Sequence, residues 1–285
     1  MADLHINTNR GWNNQWLTKE DEILKTIYPQ GGWEEVMKML PHRNKSGIQQ
    51  RAFKLNIKKL SYNQDYFEVI DSPEKAYWLG FIYADGYVTS QNRWGIELSI
   101  KDYTHLEKLI NALDSNIKIK TRKRTNFINE TEMCSFQINN KKMFNDLLSK
   151  GVLRNKTYIL EFPDECIVKK EFHSDFIRGF YDGDGSFTIF PFKSHYKNNI
   201  YNNTQIGISL VCKNKNFIEK LQKIILENTL INARIDYIQR DDLYSLRISN
   251  KKDCLNFINY LYDKSSLYLE RKYNKAQEIK QYCLA

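Results

Sequence analysis

Apolar residues along this chain recur at two spacings, and the change from one to the other divides it. Up to residue 55 the spacing is helical. Thr18, with Asp21 three positions on, starts a helix that runs to about Tyr28 and turns Leu17, Ile23, Leu24 and Ile27 inward. Pro29-Gln30-Gly31-Gly32 breaks it, and a second helix from Trp33 to Leu40 presents Trp33, Val36, Met37 and Leu40 before Pro41 stops it. A third starts at Asn44 to Ser46 and reaches Leu55, with Ile48, Ala52, Phe53 and Leu55 packed. The expectation is a small three-helix domain over residues 1–60 with its first fifteen residues loose, followed by a weakly periodic linker over 61–72 that ends at Pro73.

From Pro73 onward helical and alternating segments take turns. A helix leads to Asp85, and strands follow at 87–89 and 94–100. Then come a helix at 102–113, strands at 117–124 and 133–138, a helix at 141–148 and a closing phrase that ends at Pro163. The order repeats: a helix at 174–181, a strand at 186–190, a long polar loop at 191–203, a strand at 204–212, a helix at 217–228, a hairpin of 233–239 with 243–249, and a helix at 254–261. The last dozen residues read as a tail or a short helix. The fold class expected is α+β, two pseudo-symmetric αββαββα repeats over 73–163 and 164–285.

The two leading helices share a nine-residue pattern. Trp78-Leu79-Gly80-Phe81-Ile82-Tyr83-Ala84-Asp85-Gly86 is matched by Ile177-Arg178-Gly179-Phe180-Tyr181-Asp182-Gly183-Asp184-Gly185. Tyr77, Gly80, Phe81 and Ala84 share one helical face, as do Phe176, Gly179, Phe180 and Gly183. Glycine inside a helix costs about 1 kcal/mol and is tolerated where two backbones must approach closely. One Ala-Asp-Gly alone is an ordinary helix end. Two, 99 residues apart and each ahead of similar material, point to two packed helices that bring Asp85 and Asp184 together, where a divalent cation offsets their repulsion.

A net charge of +9 points to a polyanionic partner. Cations cluster in two places. Lys38, Arg43, Lys45, Arg51, Lys54, Lys58 and Lys59 occur in a stretch without an acidic residue, and Lys118, Lys120, Arg122 and Arg124 alternate with Ile117, Ile119 and Thr121 on one strand. Five scattered cysteines and five histidines form no zinc or disulfide pattern. Neither a signal sequence nor a run of eighteen apolar residues occurs, so no membrane association is expected. The compartment expected is the cytoplasm of a bacterium or phage-infected cell, or an organelle matrix, and not a secretory route.

On these residues the chain resembles, over about 71–275, the LAGLIDADG homing endonucleases in their single-chain, two-motif form. The resemblance implies a DNA-binding saddle of two antiparallel sheets, a monomer with internal pseudo-two-fold symmetry, and metal-dependent cutting of both strands of a long double-stranded DNA target. It assigns catalysis to Asp85, Asp184, Lys156 and Lys272, with Arg271 as a substitute for Lys272. Mg²⁺, with Mn²⁺ able to replace it, is held by the two aspartates with Ala84 and Gly183 beside them. Tyr83 stands where the motif has its first aspartate, while Asp182 keeps it. The spacing of Trp16, Trp33 and Phe53 resembles a Myb/SANT-like domain. That likeness implies that the tryptophans are core, that Phe53 replaces a third, and that Lys45, Gln49, Gln50 and Lys54 enter a major groove. Lys58, Lys59, Lys193, Arg240 and Arg247 complete the expected DNA contacts. A catalytically inactive DNA-binding regulator and an RNA maturase for group I introns are the alternatives.

Overall fold

Backbone sterics set the first break in the chain. In the computed structural model, which describes residues 15–125, 130–154, 159–196 and 199–285, α1 (Thr18–Met39) runs through Pro29 and is interrupted at Gly32, whose φ of 66° suits glycine. The break expected over residues 29–32 comes at Gly32, and the two helices anticipated are the arms on either side of that kink. After it, α2 (Lys45–Lys54) is capped by the Asn44 side chain, which accepts the Gly47 N–H at 2.8 Å. Leu24, Val36, Leu40, Ile48 and Ala52 are the buried core, and Trp16 and Trp33 lie half-buried against it.

Three expectations for this segment change. Leu17, at the N-cap position of α1, is 60% exposed; Phe53 is 85% exposed, because α2 turns Ile48 and Ala52 inward and one residue further along a helix is rotated by about 100°. Asp21 does not cap α1; Glu20 does, accepting the Leu17 N–H at 2.8 Å. Asp21 instead takes two hydrogen bonds from Arg51, at 2.8 and 2.5 Å. Buried Glu20 also binds Arg43 at 2.9 and 2.7 Å and His42 at 2.7 Å, and the Arg43 guanidinium above all holds its carboxyl down at about 2.

A second compact unit begins at Ser61. The stretch 61–72, expected to be a linker, is folded into it. Tyr66, Phe67 and Ile70 are buried, Phe67 meets Trp94 edge-on with ring centroids 5.7 Å apart, and the Asn63 N–H bonds the Leu113 carbonyl at 2.7 Å. The order then runs α3 (Pro73–Asp85), β1 (Gly86–Val88), β2 (Arg93–Ser99), α4 (Tyr103–Ala112), β3 (Lys120–Thr125), β4 (Glu130–Asn139) and α5 (Lys141–Ser149). It repeats as α6 (His173–Asp184), β5 (Ser186–Tyr196), β6 (Asn199–Cys212), α7 (Lys215–Thr229), β7 (Arg234–Ile238), β8 (Leu243–Ile248) and α8 (Lys251–Tyr262), with α9 (Glu270–Leu284) added. The antiparallel sheets have the same strand order, β1-β2-β4-β3 and β5-β6-β8-β7, so the α+β class and the repeat hold. Cys134, Phe136 and Ile138 of β4, and Ile206, Ile208 and Leu210 of β6, point into the core; their alternating neighbours leave the other sheet face open.

Two segments are more regular than their polarity suggested. The expected loop at 191–203 is a hairpin in which β5 and β6 pair as far as Tyr196 opposite Asn199; Asn199 to Asn203 are exposed, so no apolar alternation marks that part. The last residues form α9, which buries Ala276 and Ile279. No helix among the described residues is long and apolar enough to cross a membrane.

α3 and α6 pack through the glycines. A methyl group at Gly80 would overlap the Phe176 carbonyl oxygen, one at Gly179 the Tyr77 carbonyl oxygen, and one at Gly183 the Ala84 side chain. Buried beside this seam, His105 shares a 3.0 Å hydrogen bond with the Tyr77 hydroxyl, and burial, with help from Lys108 and Arg271, pushes its pKa down to about 3.

Gly179→Ala should force the helices apart and cost about 1–3 kcal/mol, measured as a lower midpoint in urea unfolding. Neutral His105 favours the fold fully above the ordinary histidine value near 6.5, and that contribution is lost as pH falls from there toward 3, at up to about 1.4 kcal/mol per pH unit. His105→Gln should flatten the difference in stability between pH 7 and pH 4 relative to wild type; an unchanged slope would show that the imidazole is not held neutral.

Candidate active site

Asp85 and Asp184 are the last residues of α3 and α6. The glycine after each is extended rather than left-handed, with ψ of 154° at Gly86 and 162° at Gly185, and leads the chain directly into β1 and β5. Neither Asp-Gly is therefore the left-handed cap that ends many helices. Because Gly183 lacks a side chain, Asp85 lies over the last turn of α6: a Cβ at Gly183 would stand 2.9 Å from Asp85 Oδ2. The ends of the two helices, one carrying Asp85 and the other Asp184, thus lie together, and the negative ends of two helix dipoles converge there as a focus of negative potential.

A cation from the chain answers part of that field. Lys272, in the first turn of α9, donates its Nζ to the Gly185 carbonyl. Burial, aided by Arg271, lowers its pKa, while Asp182, Asp85 and Asp184 draw it back up, so Lys272 feels both aspartates. Adjacent Arg271 is committed elsewhere, bonding the buried Asp102 carboxylate at 3.0 Å to each oxygen. Of the two neighbours, Lys272 is thus the one that reaches the Gly185 carbonyl after Asp184. Lys156 lies outside the described residues.

Asp182 serves a different purpose from Asp184. It is fully buried and accepts three hydrogen bonds, from the Tyr77 hydroxyl at 2.7 Å, the Tyr262 hydroxyl at 2.6 Å and the Leu269 N–H at 2.8 Å. Burial pushes its pKa up to about 6 against the pull of those donors. Arg178 lies nearby over the Tyr77 ring and donates to the Leu267 and Leu261 carbonyls at 2.9 Å each. In the first repeat Tyr83 occupies the position of Asp182, and its hydroxyl donates to the Lys150 carbonyl.

A divalent cation fits the donor chemistry here. Asp85 and Asp184 give carboxylate oxygens beside the backbone of Ala84 and Gly183, an all-oxygen set. Among the described residues no group of three or more histidine, cysteine, aspartate or glutamate side chains could hold a metal. Such an ion would therefore complete its shell with backbone, water or phosphate oxygens, as Mg²⁺ commonly does.

The strand registers sort the expected DNA contacts. Lys120 pairs with Ser135 and Arg122 with Met133, which places Lys120, Arg122 and Arg124 on the open face, opposite Cys134 and Phe136. Lys118 precedes the strand, and Ile117 rather than a strand face is buried there. Arg122 is bound by Glu97 at 2.7 Å. In the second sheet Arg247 lies on the open face opposite Ser209, and Arg234, which the sequence pattern did not single out, pairs with it. Arg240 is exposed in the β7–β8 turn against Asp241. Lys193 is exposed in the β5–β6 hairpin, on the side of Phe187 and Ile189 by register, while Phe190, Phe192 and Ser194 continue the open side. Lys45 in the first unit sits 4.5 Å from the Trp33 ring centroid, and Gln49, Gln50 and Lys54 are exposed along α2.

Residues 177–283 match the family described as LAGLIDADG endonuclease. The match covers most of the second repeat. Solved structures share the fold over about three quarters of the chain. A double mutant of I-SmaMI is 14% identical with a TM-score of 0.51, over 75% of this chain and 90% of that one. I-SmaMI bound to cleaved DNA is 13% identical with a TM-score of 0.51, over 76% and 90%. The meganuclease I-AabMI bound to uncleaved DNA is 15% identical with a TM-score of 0.50, over 74% and 90%. No curated protein matches the chain.

Proposed function

We propose that the protein is a site-specific endonuclease that hydrolyses both strands of a long double-stranded DNA target with a divalent metal. The observation that carries this reading is the glycine packing that brings together the ends of α3 and α6, which carry Asp85 and Asp184, with Lys272 near enough to feel the charge of both. The LAGLIDADG match over the second repeat and the fold shared with DNA-bound meganucleases support it.

In this reading duplex DNA lies along the open sheet faces, where Lys120, Arg122, Arg124, Arg234 and Arg247 contact phosphates and base edges. Mg²⁺, or Mn²⁺ in its place, bound by Asp85 and Asp184 supplies Lewis acidity and charge neutralisation at the scissile phosphates. The chain's part is to fix that ion's carboxylate partners, and to hold the Lys272 ammonium where charge grows on the attacked phosphate. Lys156 is assigned the same task in the first repeat. Water forms a bond to phosphorus, the bond to the leaving sugar oxygen breaks, and that oxygen takes up a proton. The protein works as a monomer, because both aspartates belong to one chain.

The first unit is assigned as an accessory DNA reader of Myb/SANT-like type over residues 1–60. The exposed run of Lys45, Gln49, Gln50 and Lys54 on α2, with Lys58 and Lys59 after it, supports this assignment. This reading requires a DNA-containing compartment such as bacterial cytoplasm or an organelle matrix.

A plasmid library incubated with Mg²⁺ should be cut at a preferred site, and Asp85→Asn and Asp184→Asn should each reduce cutting at least about 100-fold while binding persists. Specific binding without cutting by wild type would favour a regulator instead. Deleting residues 1–60 should weaken binding and shorten the protected stretch in footprinting, with metal-dependent cutting still detectable; a footprint of unchanged length would remove the accessory-reader assignment.

A further inference from the structure

The buried Asp182 carboxylate lies two residues before Asp184 on α6, and it does not reach the open cleft: its three hydrogen bonds all go to buried partners. One of them matters for the chemistry. Leu269 is the residue at which α9 begins, and its N–H is held by Asp182 Oδ2 at 2.8 Å. The Leu269 carbonyl in turn accepts the N–H of Lys272 at 2.9 Å and of Tyr273 at 3.0 Å, which closes the first turn of α9. That turn delivers the Lys272 side chain to the Gly185 carbonyl, directly after Asp184. One carboxylate thus ties the end of the helix that carries Asp184 to the start of the helix that carries Lys272.

The first repeat carries a different side chain at the position of Asp182. At the equivalent position Tyr83 is a hydrogen-bond donor where Asp182 is an acceptor, and it reaches the Lys150 carbonyl beside Gly151. Gly151 has a φ of 92°, and a Cβ there would overlap the Tyr83 hydroxyl. The two halves therefore anchor the chain that follows their sheets with opposite hydrogen-bond polarity.

Resting on the nuclease reading above, we propose that Asp182 is a positioning residue for one half of the cleavage centre. By fixing the start of α9 it sets Lys272 against Asp184, and it does so for the cut assisted by the second repeat alone. The two strand cuts then depend on different supports and can be separated. Losing the clamp slows one strand and leaves the other, converting a double-strand cutter into a nicking enzyme. Asparagine is the informative replacement, since it has nearly the same shape. Its neutral carbonyl oxygen, in the place of the Oδ2 that takes both the Leu269 N–H and the Tyr77 hydroxyl, accepts more weakly than a carboxylate, and its amide would face the Tyr262 hydroxyl.

The test is cleavage of a duplex labelled separately on each strand, with wild type, Asp182→Asn and Tyr262→Phe, alongside thermal melting and DNA affinity. For Asp182→Asn the expected result is a cooperative melt, affinity within about threefold of wild type, and cutting of one strand slowed at least about tenfold, as a misplacement of about 1 Å can cause, with the other strand within about threefold. Tyr262→Phe removes one donor to Asp182 but leaves its bond to Leu269, and should slow the same strand by a smaller factor. If Asp182→Asn does not fold, the strand ratio of Tyr262→Phe decides. Equal slowing of both strands, or no slowing, would overturn the positioning role and leave the nuclease reading intact. Failure of wild type to cut either strand would overturn both.

Discussion

Backbone-to-backbone contact at the α3–α6 seam is the constraint from which the rest of the second unit follows. Gly80 sits against the Phe176 carbonyl and Gly179 against the Tyr77 carbonyl, so the contact is reciprocal and admits no side chain. That closeness carries Ala84 onto Gly183 and lays the Asp85 carboxylate over the last turn of α6. A helix pair separated by ordinary side chains, about 8–10 Å between axes, would leave its terminal carboxylates further apart. The helix-propensity cost of the glycines is thus offset by a geometry that larger residues cannot reach.

Buried polar groups around the seam then divide the labour. Asp182, Arg178, Tyr77 and Tyr262 satisfy one another and the chain that leads into α9. Arg271 satisfies Asp102 across the two repeats. Leaving either carboxylate unpaired in the interior would be costly, so these groups hold the two repeats in register while Asp85, Asp184 and Lys272 remain at the cleft. In the first unit, Glu20 with Arg43 and Asp21 with Arg51 act comparably. Two of the seven cations counted from Lys38 to Lys59 are consumed by the fold itself.

Much of this was legible in the residues because periodicity reports burial directly. The glycine-bearing faces of α3 and α6, the repeated strand order and the late hairpin all follow from spacing. What escaped did so for physical reasons. Phe53 lies one position from the buried Ile48–Ala52 stripe, and an aromatic residue next to such a stripe looks like part of it. The 191–203 hairpin has solvent on both faces, so nothing in its pattern demands alternation. Stretch 61–72 buries only Tyr66, Phe67 and Ile70, too few to show a period. The clamp from Asp182 to Leu269 joins residues 87 apart, a pairing that local pattern does not encode.

The long hairpin gives the two halves unequal spans. β5 and β6 have 11 and 14 residues where β1 and β2 have 3 and 7. At about 3.3 Å per residue, the second pair extends roughly twice as far as the first or more. A nucleic acid laid across both open faces would be covered further on one flank than on the other. In the nuclease reading proposed above, the cut would then sit off the middle of the protected segment, which would give a sense of direction along an otherwise two-fold duplex.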